Sequence, residues 1–310
     1  MQTWDALVVG AGQSGVPLAV ALARAGRKTA MVERADVGGT CINVGCTPTK
    51  TLVASARVAS LAARAAEYGI GVSPPRTNWP AVREREQKVV RDFRASGERR
   101  LREAGVTLVR GEAQFVGPRR LRVTGADGTT DEHKAPVVVL DTGGRPRRPE
   151  LPGLDSVPAL DSSSILTLGP FPERLLVLGG GYIALELGQI FRRLGAEVTI
   201  VESAPRLASR EEAEISEAIA DFLRAEGIRV HVGARTARVS PASGGVRLEL
   251  ADGTALEGTH LLVAVGRTPN TDALDCAAGG LTCDPHGFIQ VDDRLRTTAE
   301  GVYATGDVTG

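Results

Sequence analysis

The sequence predicts an α/β fold built from two similar units, because one pattern of elements occurs twice along its 310 residues. In each copy an apolar strand runs into a glycine-rich turn, and a helix and a second strand follow. From the first glycine of the turn to the acidic residue after the second strand is 23 residues in both copies, from 10 to 33 and from 179 to 202. This spacing is typical of the βαβ unit that binds a dinucleotide, so we expect two Rossmann-like dinucleotide-binding domains.

The composition is that of a globular protein with no bias toward nucleic acids or membranes. At 42% hydrophobic residues, the chain can fill two ordinary domains. Its 37 basic residues balance its 37 acidic ones, so nothing favours nucleic acid or an anionic membrane as a partner. No apolar run approaches the ~18 residues of a spanning helix. A strand begins within five residues of the N-terminus and leaves no room for a signal peptide, so we expect a cytoplasmic protein.

In the first copy, three glycines have separate structural tasks. Gly10 permits the tight turn after the strand, Gly12 lets a diphosphate approach the backbone, and Gly15 lets helix and strand pack closely. The second strand ends in Glu33, whose carboxylate can bind ribose hydroxyls. The expected strands and helix cover residues 5–9, 29–32 and 15–26.

The second copy repeats this arrangement with one substitution. Gly179 and Gly181 take the first two glycine positions, Ala184 replaces the third, and Glu202 follows the second strand. Alanine at the third position is compatible with dinucleotide binding. The expected strands cover residues 175–178 and 198–201, with a helix up to 195 between them. Further predicted elements are a charged helix over 79–103 and strands over 107–109, 121–123, 137–140, 229–232 and 246–250.

Two cysteines stand in the glycine-rich segment 38–50, directly after the first copy. Cys41 and Cys46 are five residues apart, and a helix is expected to begin after Cys46, with Thr47 as its cap and proline at its first position. The partial positive charge of a helix N-terminus favours a thiolate there, and Lys50 adds a full charge nearby. A pair of thiols in such a place can cycle between dithiol and disulfide.

Other interpretations of the two cysteines remain open on spacing alone. They could be buried packing residues, half of a zinc site or a structural bridge. Zinc needs four ligands, and no second close cysteine pair or nearby histidine follows, so no metal site is expected. A structural bridge is disfavoured in a chain without a secretory signal.

The full string GGTCINVGCTPTK resembles the active-site segment of the FAD-dependent pyridine nucleotide–disulfide oxidoreductases. This family includes dihydrolipoamide dehydrogenase, glutathione reductase and mercuric reductase, and the end of the string is most similar to the mercuric-reductase-like branch. The resemblance implies that the first copy holds FAD and the second a nicotinamide nucleotide. It also implies that Cys46 lies against the flavin, that Cys41 exchanges with substrate, and that Lys50 pairs with Glu186 of the GYIALE segment.

Three further segments carry the resemblance. Residues 142–146 resemble the family's ATGxxP crossing, with Asp141 where alanine is usual, residues 266–270 resemble its GRxPN crossing, and residues 301–310 its second flavin motif. Together with the glycines and acids of the two copies, the cofactor-binding positions implied by these segments and the cysteine string are Gly39, Thr40, Thr142, Gly143, Gly266, Arg267, Gly306 and Asp307.

The resemblance also implies a domain order and a missing part. We expect an FAD-binding domain over 1–150 with the redox disulfide, an NAD(P)-binding domain over 151–270, and a return to the first domain over 271–310. Family members continue into a dimerisation domain that supplies a His-Glu acid/base pair to the partner. A homodimer is therefore expected only with such a domain, and a protein ending at Gly310 is expected to turn over disulfides weakly.

The sequence predicts the electron donor but leaves the electron acceptor open. Glu202 can bind both ribose hydroxyls and repel a 2′-phosphate, so NADH is favoured over NADPH, although Arg206 and Arg210 lie nearby. The acceptor stays open among disulfides, metal ions and oxidants. Cys276 and Cys283 match no family motif and are expected to be incidental.

Two rival functions were weighed against this interpretation. A low-molecular-weight thioredoxin reductase carries its redox cysteines in the nicotinamide domain, which the placement of Cys41 and Cys46 excludes. The other rival is a redox sensor, or a truncated chain, that binds FAD and NAD(P)H without full turnover.

Overall fold

The computed structural model describes residues 1–73 and 75–310. The α-helices in this part of the chain are α1 (Gly15–Arg24), α2 (Gly39–Asn43), α3 (Cys46–Ala63), α4 (Trp79–Glu103), α5 (Tyr182–Leu194) and α6 (Ala213–Ala225). The strands are β1 (Gln2–Thr3), β2 (Ala6–Val9), β3 (Thr29–Glu33), β4 (Thr107–Arg110), β5 (Glu112–Gly117), β6 (Arg120–Thr124), β7 (Thr130–Lys134), β8 (Val137–Leu140), β9 (Gly144–Pro146), β10 (Arg174–Leu178), β11 (Glu197–Val201), β12 (Arg229–His231), β13 (Thr236–Ala242), β14 (Gly245–Leu250), β15 (Ala255–Gly258), β16 (His260–Val263), β17 (Arg267–Pro269) and β18 (Val302–Ala304).

The chain divides into two compact units. The first comprises residues 1–47, 88–145 and 267–310, and the second comprises residues 48–87 and 146–266. The second unit includes residues 48–87, which the sequence places in the first domain. Which nucleotide each unit binds stays a prediction.

The first unit is built around a parallel sheet in the order β4-β3-β2-β8-β18. The strand β2 is fully buried, as expected for a strand with helices on both faces, and β3 is buried along its whole length. All five strands run in the same direction, but the strand order reverses between β2 and its neighbour β8, because β3 and β4 lie on one side of β2 and the later strands on the other; such a switch point creates a crevice at the carboxyl ends of these strands. The first glycine turn follows β2 directly and therefore lies at this crevice.

The second unit repeats the same arrangement with four strands. Its parallel sheet has the order β12-β11-β10-β16, and the reversal falls between β10 and β16, directly before the second glycine turn. The α/β fold with two Rossmann-like units is therefore confirmed. The apolar side of helix α5 supplies the buried residues Leu187, Phe191 and Leu194, which cover the sheet.

Each unit also carries a second sheet that the sequence predicted only in part, antiparallel throughout in the second unit and mixed in the first, where β1 pairs with β7 in parallel. In the first unit the order is β1-β7-β6-β5, and in the second it is β13-β14-β15. The central strands β6 and β14 alternate buried and exposed residues and were predicted, whereas their neighbours were not. Among the described residues, no helix combines the length and the apolar character needed to cross a bilayer.

Candidate active site

The two thiols of the predicted redox segment belong to two consecutive helices of this segment. Cys41 is half-buried in the short helix α2, and Cys46 is exposed at the first position of α3. The sequence had predicted that Cys46 precedes the helix and that Thr47 caps it. The helix begins earlier because only two residues separate it from α2. The connection is also tight at the second of them, since a Cβ added to Gly45 would lie 2.9 Å from the Thr40 carbonyl oxygen.

Asn43 fixes the position of helix α2. Its side-chain amide donates to the carbonyl oxygens of Val37 and Gly39 at 3.2 and 3.0 Å, and its Oδ1 accepts from Arg94 of helix α4 at 2.9 Å. Arg94 in turn forms an ion pair with Asp36 at 2.9 Å. The thiol of Cys41 is therefore presented by a helix whose last residue is anchored on three sides.

The Cys41 and Cys46 thiols interact with each other. Burial, the largest cause, and the neighbouring Cys46 thiol together raise the pKa of the Cys41 thiol to about 11. At neutral pH Cys41 is therefore protonated in the reduced pair. Both cysteines are free thiols in the structure, and two neighbouring thiols can form a disulfide.

Lys50 lies one turn after Cys46 on α3, and its ammonium group forms an ion pair with Glu186 of helix α5. Both partners belong to the second unit. The resemblance implied this pair, and its partners are not deeply buried. The Lys50 side chain is 68% exposed and that of Glu186 is 30% exposed, so the pair contributes at most about 1 kcal/mol to folding.

The redox segment packs directly on the first glycine turn. The Gly38 N–H donates to the Ala11 carbonyl oxygen at 2.7 Å, and a Cβ added to Gly39 would lie 2.8 Å from the Cα of Gly12. Gly38 and Gly39 both have positive φ, of 112° and 59°, which side chains rarely adopt. The two motifs therefore form one continuous surface of backbone groups.

The acidic residues that end the two βαβ units make equivalent contacts. Glu33 accepts hydrogen bonds from the N–H groups of Ala11 and Ala35, both at 2.8 Å. Glu202 accepts from the N–H groups of Gly180 and Ala204, at 2.5 and 2.6 Å. In each unit the carboxylate therefore joins its strand end to the glycine turn. Both Glu33 oxygens and the Glu202 Oε2 retain a lone pair for a ribose hydroxyl, whereas the Glu202 Oε1 also accepts from the Ser203 hydroxyl at 3.1 Å.

Asp141 brings a carboxylate into the first glycine turn. Its Oδ2 accepts from the Gly15 N–H at 2.7 Å, and Cβ atoms added to Gly12 and Gly306 would lie 2.6 and 3.0 Å from its two carboxylate oxygens. Burial raises the pKa of Asp141 to about 6 against the opposing effect of the backbone hydrogen bonds, and the charge of Asp307 raises it further. The equivalent position of the second unit is Ala264, since its N–H donates to the end of β10 just as Asp141 donates to the end of β2.

Four sequence segments of the first unit meet around Arg267. Its guanidinium forms an ion pair with Asp307 at 3.1 Å and donates to the Gly144 carbonyl oxygen and, at 3.5 Å, to the Thr40 hydroxyl. Beside it, the Asn270 side chain donates to the Thr142 carbonyl oxygen at 2.8 Å, and its backbone N–H to that of Gly143 at 3.0 Å. The crossings and the last motif, far apart in sequence, are thus joined by direct hydrogen bonds.

These residues fit a bound FAD. The glycine turn offers backbone N–H groups at the start of α1, where a diphosphate binds favourably, and the Glu33 carboxylate suits a ribose. The Thr142 hydroxyl is buried without a hydrogen-bond partner among the described residues, as expected for a group that meets a ligand. The negative charge of Asp141 is the one feature that opposes a diphosphate.

Several functional details were not foreseen from the sequence. The anchoring role of Asn43 and Arg94 had no signal, because the two residues lie 51 positions apart. Asp141 was noticed only as a departure from the family's alanine. Residues 1–73 and 75–310 contain no group of three or more His, Cys, Asp or Glu side chains that could hold a metal ion.

Comparison with known proteins agrees with this arrangement. The family described as pyridine nucleotide-disulphide oxidoreductase matches residues 4–310. The chain belongs to this family. A dihydrolipoyl dehydrogenase of Chlorobaculum parvum is 38% identical over 99% of the chain, and a mercuric reductase of Streptomyces lividans is 38% identical over 99% of it. The chain spans 66% and 65% of the lengths of these two relatives.

A solved structure of the HOCl-induced flavoprotein disulfide reductase RclA from Escherichia coli, as a Cu(II) complex, superposes with a TM-score of 0.90. It is 33% identical, and the match covers all of this chain and 67% of that protein. The chain thus shares its fold with a flavoprotein disulfide reductase, and the relatives named here are oxidoreductases.

Proposed function

We propose that this protein is an FAD-dependent oxidoreductase that passes electrons from NAD(P)H to the Cys41–Cys46 pair and on to an acceptor. The observation that carries the proposal is the contact between the two thiols at the start of α3, on a segment that packs against the first glycine turn. The acceptor is a small disulfide, a metal ion or an oxidant.

Each residue has a chemical task in this proposal. Bound FAD would accept a hydride from the nicotinamide and supply two electrons to the protein. Those two electrons and two protons would open the Cys41–Cys46 disulfide to two thiols. Cys41 would then exchange with the acceptor, which takes up the two electrons as the disulfide forms again. Arg267 and Asp307 would orient the flavin chain, and Glu33 and Glu202 would hold the ribose groups of the two nucleotides.

Cys41 requires a base for this exchange. With a pKa near 11 it holds its proton at neutral pH, and only a thiolate attacks a disulfide. Two of the four histidines have other partners, since His133 accepts a hydrogen bond from Trp4 and His260 contacts Thr259. The proposal therefore requires a general base that takes the Cys41 proton during the exchange.

The direct test is anaerobic reduction of the purified protein by NADH. Heat-released flavin is expected to be FAD, and full reduction is expected to expose two additional thiols per chain, both located in the peptide that contains Cys41 and Cys46. Flavin reduction without new thiols would show that the protein is a flavoprotein whose mechanism does not use the Cys41–Cys46 pair. Absence of FAD from the folded protein would contradict the whole proposal.

A preference for NADH over NADPH is expected from Glu202. Its carboxylate lies at the end of β11 and repels a 2′-phosphate, whereas the Nε of nearby Arg206 is buried without a partner among the described residues. Glu202→Gln is expected to lower the ratio of kcat/KM for NADH to that for NADPH at least ~10-fold, because one charge repulsion is removed. Arg206→Gln is the matched variant and should raise the ratio. A wild-type preference for NADPH would contradict the assignment.

Replacement of Lys50 separates a catalytic role from a structural one. Lys50→Met removes an exposed ion pair, so the free energy of unfolding should change by no more than about 1 kcal/mol. If Lys50 acts beside the flavin and the Cys46 sulfur, the rate of flavin reduction should fall at least ~10-fold in stopped-flow experiments. Lys88→Met, which removes an exposed i,i+4 pair with Asp92, is the control. Equal rates in the two variants would leave Lys50 without a role.

A further inference from the structure

A second pair of thiols lies in the first unit, away from the redox segment. Cys276 and Cys283 are half-buried against the core cluster that contains Phe115, Leu281 and Ile289. The Cys283 thiol is one cause of the raised pKa of Cys276, and the Cys276 thiol also lies 4.0 Å from the Thr271 carbonyl oxygen. No sequence motif pairs the two cysteines, and their packing against one core cluster is a finding of the structure.

Backbone hydrogen bonds bring these cysteines together. The Leu281 N–H donates to the Cys276 carbonyl oxygen at 2.9 Å and closes the turn between them. Cys283 pairs with Ile289 in an antiparallel bridge, and the Asp284 N–H donates to the Phe288 carbonyl oxygen at 2.8 Å. Residues 283–289 thus form a small hairpin, which we call the Cys283 hairpin.

The Cys283 hairpin supports the last flavin motif. The Ile289 N–H donates at 2.9 Å to the carbonyl oxygen of Val308, in the turn Gly306–Val308 that contains Asp307. On its other side the Gly287 carbonyl oxygen accepts from the Thr271 hydroxyl at 2.8 Å, one residue after the Asn270 that holds Thr142 and Gly143. The hairpin therefore connects Thr271, which follows Arg267 in the sequence, to the turn that holds Asp307, the partner of the Arg267 guanidinium.

We propose that Cys276 and Cys283 form a second, oxidant-dependent disulfide that fixes the Cys283 hairpin and with it the Gly306–Val308 turn. Two S–H bonds break and one S–S bond forms, and two protons and two electrons pass to a two-electron oxidant. With the azo compound diamide as the oxidant, its N=N bond accepts both hydrogens and becomes a hydrazine. Closing the eight-residue loop 276–283 restricts the unfolded chain and stabilises the folded one.

The second pair is expected to react slowly. Burial raises the pKa of Cys276 to about 12, and the Cys283 thiol and the charge of Asp275 add to this. The thiol therefore stays protonated at neutral pH, and thiolate chemistry through it is suppressed. Exposed Cys46 starts its helix and carries no such burial, so the two pairs should oxidise at different rates.

Peptide mapping tests the disulfide itself, because trypsin separates the two pairs. Cys41 and Cys46 fall in the peptide 35–50, and Cys276 and Cys283 fall in the peptide 268–294. After diamide treatment of the folded, reduced protein and alkylation of remaining thiols, the 268–294 peptide should be recovered unalkylated and two hydrogens lighter. Oxidation of 35–50 with 268–294 still fully alkylated would overturn the proposal.

Thermal unfolding tests the consequence. Diamide should raise the Tm of the wild type by about 5 °C more than that of the Cys276→Ser/Cys283→Ser variant, because only the wild type can close the loop. If the variant does not fold, the Tm of the wild type is compared between two samples. Peptide mapping must show that these samples differ only in the oxidation of the peptide 268–294. A disulfide that forms without a Tm increase would overturn the fixing of the hairpin.

Release of FAD tests the link to the last flavin motif and rests on the proposed function. Formation of the disulfide in the peptide 268–294 should slow FAD dissociation about threefold or more, because the Gly306–Val308 turn that holds Asp307 then opens less often. An unchanged rate would overturn the link to the turn. A protein that contains no FAD would remove the proposed function, while the mapping and Tm results would still decide whether the second disulfide forms.

Discussion

Cys46→Ser is expected to lower turnover with a small aromatic disulfide about 10³-fold or more, because a catalytic pair loses its function when either member is removed. A serine hydroxyl neither ionises near neutral pH nor forms a disulfide, so electrons cannot leave the flavin through this site. NADH consumption with a quinone acceptor should persist, because that reaction bypasses the thiols. The measurement is kcat with each acceptor for wild type and variant.

Cys41→Ser should abolish disulfide turnover to the same extent but differ in its spectrum. It leaves Cys46 as a single thiol at the start of α3, without the hydrogen bond to its neighbour. A Cys46 thiolate beside oxidised flavin should give a long-wavelength absorption band without prior reduction, and the Cys46→Ser variant should never show this band. If both variants keep the wild-type spectrum, the thiols do not lie beside the flavin.

Cys283→Ser provides the matched control for both variants. It removes one half-buried thiol of the first unit and leaves the redox segment unchanged. In protein kept reduced before the assay, turnover should stay within about twofold of the wild type, as expected for a mild substitution away from the site. A large loss here would show that any thiol removal damages the protein and that the Cys46 result has no mechanistic meaning.

The two βαβ units could be predicted because their determinants are local. Gly10 and Gly179 have φ of 98° and 113°, and a Cβ on either would lie within 2.3 Å of the carbonyl oxygen of the neighbouring strand end. Glycine is therefore required at both positions, and the offset to Glu33 or Glu202 is set by the length of one helix and two strands. The equivalent hydrogen bonds of the two carboxylates follow from this repeat.

What the sequence could not predict depends on pairing between distant segments. The strand β7 reads TDEHK and shows no apolar alternation, and it forms only because β1 and β6 pair with it on either side. Helix α2 has five residues, too few for a periodic signal, and is fixed by Asn43 and Arg94. The contact between Cys276 and Cys283 arises from a turn and a hairpin that no hydrophobic pattern marks.

Asp141→Asn is expected to stabilise the protein at neutral pH. Asp141 is 8% exposed, and burial raises its pKa from 3.8 to about 6. Between these values the folded protein holds a proton that the unfolded chain has lost, so the free energy of unfolding contributed by this group falls as pH rises from about 4 to 6. Above pH 6 the full cost of about 3 kcal/mol for the buried charge is present.

Asparagine isolates this cost because it keeps the shape of the side chain. Its Oδ1 can still accept from the Gly15 N–H, but it does not titrate. The difference in free energy of unfolding between variant and wild type, from urea titrations, should grow from about 1 kcal/mol at pH 4.5 to about 3 kcal/mol at pH 7.5. Taking this difference cancels exposed carboxylates such as Asp127 and Glu132, whose pKa values are lowered by hydrogen bonds to Thr129 and Arg120. A difference independent of pH would show that Asp141 is not the titrating group.

The same substitution is expected to strengthen FAD binding, and the pH dependence of binding identifies the reason. The Asp141 carboxylate accepts from the helix terminus where the diphosphate is expected to bind, and two negative charges in one buried place repel each other. The wild-type apoprotein should therefore bind FAD at least ~10-fold more tightly at pH 5.5 than at pH 7.5, while Asp141→Asn should bind tightly at both, as followed by flavin fluorescence. Ala264→Asp, which places the same carboxyl at the equivalent position of the second unit, should leave FAD binding unchanged and weaken nicotinamide binding. If Asp141→Asn gains stability but FAD affinity keeps its pH dependence, the carboxylate is buried away from the diphosphate, and the first glycine turn binds the cofactor in a different register.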